Sequence, residues 1–558
     1  MHTLLSDDLI KQYYAAGFWR NDTIYSLARA HAEQVPQSFA LRERQRRLTY
    51  RELVAGADAL AADLAQHGLE PGDRVAVWLP NRIERVIALL ACSRNGFVCC
   101  PSLHRDHTVA EVLELVQRTR AAAFIGQEAF GADADRRDVF ADVAALPHVR
   151  KIYRLTPAAS AQPWAMTARH DARMPQKQDP DQVVYIAFTS GTSGRPKGVM
   201  HSDNTLLANA RQMAKDWSIG RDAVVFSLSP LSHNLGFGAQ VMALAAGAEL
   251  VVNDLPRGAS LVDRILETDA SFLVGVPAHA SDLLAEMRAR GLQGLGRVRG
   301  FRISGAAAPR EVVAGLLERG IFPQSGYGMT ETCSHQYTLP DDDPALIVET
   351  SGRACAGFEV RIFKIDDADA EAAVGEVGQI GARGASLMLG YYEDAETTRA
   401  AFNRHGYFMT GDLGTLDARG YLRITGRLKD IIIRGGHNIH PARIEALAMR
   451  HPAVARAAAV PVKDARLGEK VCLVVMPQNG AQVLPAELLA HLDAAGLSKY
   501  EMPEFFLQLD EIPLTANGKI RKGDIVQLIA SGQVTPEPVR FGGPPREKSG
   551  LSEGSLSS

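Results

Sequence analysis

Cysteine is scarce. The chain has six in 558 residues (Cys92, Cys99, Cys100, Cys333, Cys355, Cys472), and none falls in CxxC spacing. This excludes a disulfide framework and argues against a clustered-cysteine zinc site. The adjacent Cys99 and Cys100 read as packing in an apolar strand rather than a redox pair. Charge of one sign is also lacking: 61 Lys and Arg against 64 Asp and Glu leave a formal net charge of −3. Such a balance gives neither nucleic acid nor an anionic membrane an electrostatic hold. No apolar run reaches membrane-spanning length, since Arg94 and Asn95 break one candidate and Glu249 another. The opening MHTLLSDDLIKQYY carries acids where a secretory signal carries bases, so a cytoplasmic location is expected.

What is present is a globular composition, 46% hydrophobic and 22% charged, in a chain long enough for two to four compact units. Helical and strand patterns alternate. Residues 50–67 (YRELVAGADALAADLAQH) place apolar side chains at helical spacing behind Thr49, a good N-cap. GLEPGD then makes a turn, VAVWLP a buried strand, residues 85–93 a second helix and FVCCP a second strand. FLVGVP (272–277) and GFRISGAAAP (300–309) repeat the strand-then-turn idiom. The pattern predicts an α/β fold: parallel or mixed sheets with flanking helices. From about Phe358 the texture changes to short strands between Gly- and Asp-rich turns (VRIFKIDD, GEVGQIGARG, GYLRIT), which predicts an antiparallel, β-rich subdomain. Beyond Lys429, about 100 residues alternate short strands and helices, as a small separate α+β domain would. The expected division is residues 1–428, 429–531, and a disordered Pro/Gly/Ser-rich tail, 532–558. TGD at 410–412 by itself reads as a turn.

FTSGTSGRPKG (188–198) follows an apolar stretch and concentrates glycine, hydroxyls and one lysine. Glycines let main-chain N–H groups approach anionic oxygens, hydroxyls add donors, and Lys197 adds a point charge. This is a phosphate-holding composition. It is not a Walker P-loop: counted from Gly191, that motif requires glycine where Pro196 stands. Standing alone, the run favours phosphate, with an exposed turn as the other reading.

Four further stretches follow in order: SGYGMTET (325–332), MTGD (409–412), GYLRITGRLKDIIIRGG (420–436) and PLTANGKIRK (513–522), with LTYREL (48–53) upstream. Together with the first, they resemble the motifs of AMP-forming acyl-CoA synthetases, in the superfamily that includes aryl-acid activating enzymes, peptide-synthetase adenylation domains and firefly luciferase. The resemblance covers roughly residues 20–525. It implies ATP, Mg²⁺ and coenzyme A as cofactors, a small-molecule carboxylic acid as partner, and a monomer or homodimer. It also implies a mobile C-terminal domain.

A carboxylate resists nucleophiles through its own charge. Joining it to AMP supplies a leaving group that a thiol then displaces. The first step brings two anions together and needs charge neutralisation and in-line positioning. By resemblance, Thr189, Ser190, Gly191, Thr192, Ser193, Gly194 and Lys197 grip the phosphates. Glu331, with Thr192, holds Mg²⁺, and Thr330 contacts the α-phosphate. Tyr327 and Gly328 lie against adenine opposite the backbone at Gly305 and Ala306. Asp412 clamps the ribose with Arg427 beside it, and Lys519 meets the charge developing between carboxylate and α-phosphate. Lys429 matches the hinge of the mobile domain, and Gly435 and Gly436 match the backbone beside the pantetheine arm.

For the acid, His233 and Asn234, with Gly305 and Cys333, are the candidate pocket residues. His-Asn resembles the aryl-acid branch, as in 2,3-dihydroxybenzoate-AMP ligases, where Asn bonds a ring hydroxyl; YYAAGFWRNDTI (13–24) resembles that branch too. Residues 235–238 and YGMTETCS more closely resemble ligases of cyclic acids, cyclohexanecarboxylate-CoA ligase above all. Gly236, Gly238 and residues 306–308 are small and leave room for a compact ring. The expected function is an ATP-dependent carboxylate-CoA ligase for a small cyclic acid. The alternative is an aryl-acid adenylating enzyme that loads a carrier protein.

Overall fold

A computed structural model describes residues 3–157, 179–189, 196–256, 258–306, 308–435, 437–478, 481–515 and 518–541. Two compact units emerge. Of the described residues, the first takes those up to Thr410, Gly414–Ile424 and Gly518; the second takes Gly411–Leu413, Thr425–Thr515 and those from Lys519 onward.

The first unit contains two large sheets. In one, the strands run in the order Gly390–Tyr391, Lys197–Ser202, Val183–Thr189, Val98–Cys100, Arg74–Trp78, Ala123–Gln127, Lys151–Leu155. Arg74–Trp78 pairs in parallel with both of its neighbours, whereas Val183–Thr189 and Lys197–Ser202 are antiparallel. The other sheet has the order Arg353–Ala354, Cys333–Tyr337, Phe322–Met329, Gly300–Ile303, Phe272–Gly275, Val224–Ser227, Glu249–Val252, Phe39–Arg42, Arg47–Thr49. Strands such as RVAVW and VVYIAFT are apolar without alternation because helices cover both of their faces.

Those helices begin and end where local chemistry dictates. Thr49 and Glu52 form a reciprocal capping box at the start of Tyr50–Gln66. Ile83–Asn95 stops at Gly96, whose φ of +70° suits glycine. One apolar cluster joins the two sheets through these helices: Val75 and Tyr185 on one side, Val225 and Leu250 on the other, with Leu60, Ile87 and Met242 between. All six cysteines are buried and free, Cys99 and Cys100 within the strand expected of them.

A third sheet runs Phe358–Phe363, Gly378–Gly384, Phe408–Leu416, Leu422–Arg427, with antiparallel pairing between its first two strands, as the turn-rich sequence suggests. TGD departs from its reading as a turn. Met409 to Asp412 lie within the strand Phe408–Leu416, in which Gly411 adopts φ +74°.

In the second unit, Val454–Asp464 and Gly468–Pro477 form a long hairpin, and the sheet continues through Phe505–Gln508 on one side and Ile432–Arg434 on the other. Helices Pro441–Ala448, Pro485–Ala494 and Lys522–Ala530 pack against it around Ile444, Leu473, Leu492 and Ile525. Order does not end near Gly532. Glu537–Pro538 pair with Phe505–Phe506, and Val539 and Phe541 pack on the core. These apolar residues are hidden in the sequence by the prolines and glycines around them. Residues 542–558 lie outside the described residues. Among the described residues, no helix is long and apolar enough to cross a membrane.

Candidate active site

The apolar strand Val183–Thr189 delivers Thr189 to its end, where Thr189 faces Lys197 across an antiparallel pair. Ser190, Gly191, Thr192, Ser193 and Gly194, which join the two strands, lie outside the described residues. Lys197 places its Nζ 4.8 Å from the centroid of the Tyr391 ring, a cation–π distance.

The same tyrosine reaches Glu331. Its hydroxyl donates to Glu331 Oε1 at 3.0 Å, and burial together with the carboxylate pushes the phenol's pKa up, so the proton stays on the donor. Glu331 is itself buried, and its backbone carbonyl accepts from Met388 N at 2.7 Å. Lys197, Tyr391 and Glu331 thus form a chain from the phosphate-type run to the acid of YGMTE. One hard carboxylate oxygen suits Mg²⁺, which takes most of its remaining ligands from phosphate and water.

YGMTE leaves the strand Phe322–Met329 through Gly328. A Cβ there would stand 2.0 Å from the Cys333 carbonyl oxygen, so only glycine permits this crossing. Thr330 is fixed through its carbonyl, which accepts from His201 Nε2 at 2.7 Å. A carbonyl only accepts, so His201 carries its proton on Nε2, and burial pushes its pKa down to about 4. His201 lies four residues beyond Lys197 on the same strand and ties the two motifs together. Tyr327 is buried, with the His335 ring edge-on at 5.4 Å. Gly305 adopts φ +99°, and it and Ala306 are exposed; Ala307 lies outside the described residues.

The candidate acid pocket forms at the start of the helix Asn234–Ala246. A small cavity of about 20 Å³ lies between this helix, the helix Asp203–Asp216 and the strand Cys333–Tyr337; Asn234, Gly238, Ala210 and Cys333 help line it. That is space for about one water, so a ring enters only as side chains move. Asn234 Nδ2 donates to the Met329 carbonyl at 3.2 Å. His233 stands at the N-cap position of this helix without a side-chain capping bond, and its ring stacks on His104, centroids 4.0 Å apart and planes at 10°. His104 is driven neutral by burial, then by His233, His107 and Arg85, with its pKa down to about 2. Cys333, at φ +55°, is buried, which raises its thiol pKa to about 12. The two small residues of this helix differ in use. A Cβ on Gly238 would meet open space, whereas one on Gly236 would stand 2.4 Å from the Pro230 carbonyl. Gly236 serves the close turn, not the pocket.

In the second unit, Asp412 is buried and pairs with Arg427 Nε at 3.0 Å. Lys519 sits in a tight turn: Thr515 N donates to its carbonyl at 2.7 Å, and Lys519 N donates to Thr515 Oγ1 at 3.1 Å. The residue is exposed as a whole, yet burial of its charged end and then Arg427 lower its pKa, with Asp412 opposing. Lys429 occupies the short 3-10 turn Leu428–Asp430 that follows the strand Leu422–Arg427. Gly435 adopts φ +56°, while Gly436 lies outside the described residues.

Sequence reasoning missed Tyr391, His201 and His104. Only His201 left a signal, its short distance from Lys197 along one strand. The others act across 60 and 129 residues of chain, Tyr391 on Glu331 and His104 on His233.

Comparison with known proteins agrees with this geometry. Residues 28–392 match the AMP-binding enzyme family, and residues 443–519 match the AMP-binding enzyme C-terminal domain. A 3-[(3aS,4S,7aS)-7a-methyl-1,5-dioxo-octahydro-1H-inden-4-yl]propanoyl:CoA ligase of Mycobacterium tuberculosis is 33% identical over 514 residues, covering 89% of this chain and 96% of that one. A salicylyl-CoA synthase / salicylate adenylyltransferase of a Streptomyces species is 32% identical over 536 residues, covering 92% and 94%. The crystal structure of ATP-bound MatB from Rhodopseudomonas palustris superposes with a TM-score of 0.80 at 29% identity, covering 91% and 99%. The chain belongs to the AMP-binding enzyme family: it is an AMP-forming acid–thiol ligase of the acyl-CoA synthetase type, which uses ATP, Mg²⁺ and coenzyme A.

Proposed function

We propose that the enzyme activates a small cyclic carboxylic acid, alicyclic or aromatic, of the cyclohexanecarboxylate kind, and transfers it to free coenzyme A in the cytoplasm. The observation that supports the reading is the small cavity beside Asn234, Gly238 and Cys333, bordered by two helices and a strand, which admits a compact ring once side chains move. The two cyclic-acid relatives described above support it.

In this reading the acid's carboxylate attacks the α-phosphorus of ATP, and pyrophosphate leaves. Thr189, residues 190–194 and Lys197 hold the outgoing phosphates, and Thr330 holds the α-phosphate. Glu331, with Thr192, would hold Mg²⁺, which neutralises phosphate charge when bound. Tyr327, Gly328, Gly305 and Ala306 enclose adenine, and Asp412 accepts from both ribose hydroxyls with Arg427 at its side. Lys519 stabilises the approach of the two anions. For the second step Lys429 is the hinge, and Gly435 and Gly436 give the thiol arm room to reach the acyl carbon, where AMP leaves.

The alternative acceptor is a carrier protein's phosphopantetheine, favoured by the His233–Asn234 pair and by the adenylyltransferase named above. The test is a panel of carboxylic acids assayed for pyrophosphate release, followed by mass spectrometry with free CoA. Small cyclic acids should lead the panel and yield CoA thioesters. Preference for long linear acids, or thioester only when a carrier protein is added, rejects the assignment.

A further inference from the structure

Arg302 lies on the strand Gly300–Ile303, in register with Gln324 of the parallel neighbour. Its side chain is 2% exposed, and no ion pair among the described residues includes it. Nη1 donates to Gln324 Oε1 at 2.6 Å and lies 3.0 Å from the Met213 sulfur. Nη2 is buried without a hydrogen-bond partner, and so is Nε2 of the same Gln324. Because Gln324 Oε1 faces the guanidinium, its amide nitrogen is the group left over. Each of the two side chains is thus left with one buried donor, and what both lack is an acceptor oxygen. Buried polar groups are rarely left so, and a buried guanidinium without counter-charge is the costliest kind. Burial alone lowers its pKa, and the groups that oppose this are Tyr337, Cys355 and Cys333, none of them a carboxylate.

The place of this pair gives it meaning. Ala210 lines the small cavity, and Met213 follows it by three residues, on the same face of the helix Asp203–Asp216 one turn further on. The helix starts beside His201 and Thr205, which hold the Thr330 end of the site. Passing from Leu206 through Ala210 to Met213 thus leads away from Thr330 and towards Arg302. Met213 is unbranched and adaptable, so its thioether yields readily to an incoming group.

We propose that Arg302 and Gln324 form the distal end of the acid pocket, and that the acid carries a second oxygen acceptor, a carboxylate or a carbonyl, remote from the carboxylate that reacts. This rests on the acid-pocket reading above and narrows its substrate class. The ring's far oxygen accepts from Arg302 Nη2 and Gln324 Nε2 as the flexible Met213 side chain moves aside.

The experiment compares cyclohexanecarboxylate, 4-oxocyclohexanecarboxylate and cyclohexane-1,4-dicarboxylate by kcat/KM for pyrophosphate release. Wild-type enzyme should favour one oxygenated acid by about 10- to 100-fold over the plain one, the range for a hydrogen bond to a charged group. The diacid leading identifies an anionic partner, and the oxo acid leading identifies a carbonyl. Arg302→Met should erase the preference, chiefly through KM, while still activating the plain acid, and Arg302→Lys should restore part of it for the diacid. Plain acid used as well as both others by wild-type enzyme overturns the distal subsite yet leaves acid activation standing. No release from any of the three overturns both. The wild-type comparison decides the matter even if Arg302→Met does not fold.

Discussion

Tyr391 donates its hydroxyl to Oε1 of Glu331 at 3.0 Å, from a strand sixty residues further along the chain. The bond orients a buried carboxylate that would hold Mg²⁺, and the same ring lies beside Lys197. Tyr391→Phe keeps the ring and removes the donor. A hydrogen bond to a charged group contributes about 1.5–3 kcal/mol, so the variant should lose about 10- to 100-fold in ATP–pyrophosphate exchange. The loss should shrink at high Mg²⁺. A titration of exchange rate against Mg²⁺ checks this, and superimposable wild-type and variant curves would contradict it.

Lys519 is expected to serve one half-reaction. Lys519→Ala should lower acid-dependent ATP–pyrophosphate exchange by about 10²–10³, the cost of losing one preorganised charge. Thioester formation from supplied acyl-adenylate and CoA should survive. Equal loss of both activities would remove the lysine from its assigned step.

Gly328 tests the path of YGMTE. An added methyl would meet the Cys333 carbonyl at 2.0 Å, and backbone there has nowhere to go. Gly328→Ala should destabilise the first unit by about 1–3 kcal/mol and displace Thr330 and Glu331. Thermal unfolding together with the exchange assay would show both effects; wild-type values for both would mean the crossing is looser than described.

Asp203 gives the fold a pH dependence. Its Oδ1 accepts from Ile24 N at 2.8 Å and from Ser93 Oγ at 2.9 Å, but burial dominates and raises its pKa to about 7 from 3.8. The folded state therefore favours the protonated carboxyl. The stability this contributes is fully present below the unfolded value and is lost as pH rises through about 7. Asp203→Asn keeps an acceptor for both donors and does not ionise. Relative to wild type, the variant should gain on the order of 3–4 kcal/mol between pH 4 and pH 8 by urea denaturation. A difference that does not change with pH would place the ionised carboxylate in better company than its burial indicates.

The alternating sheets, the small α+β unit and the order of the motifs were legible because they depend on local pattern: period, caps and turn residues. What escaped depends on partners distant in sequence. Nothing in GYY marks Tyr391 as the donor to Glu331, and nothing in FRIS marks Arg302 as lacking a counter-charge. Small residues misled in a different way. Gly236 and Gly238 look alike in LGFG, yet one makes room for the Pro230 carbonyl and the other borders the cavity. TGD looked like a turn because a glycine at positive φ is commoner there than inside a strand. At the C-terminus, proline and glycine content hid the two apolar residues, Val539 and Phe541, that anchor the chain.

The fate of oxygen in a single turnover bears most directly on how the acid is activated. A cyclic acid labelled with ¹⁸O in both carboxylate positions is mixed with the enzyme, ATP, Mg²⁺ and CoA, and the products are weighed. If the carboxylate attacks the α-phosphorus and the thiol then breaks the acyl–oxygen bond, one label appears in AMP and one remains in the thioester. Unlabelled AMP, or label in inorganic phosphate beside ADP, would mean that no acyl-adenylate is formed.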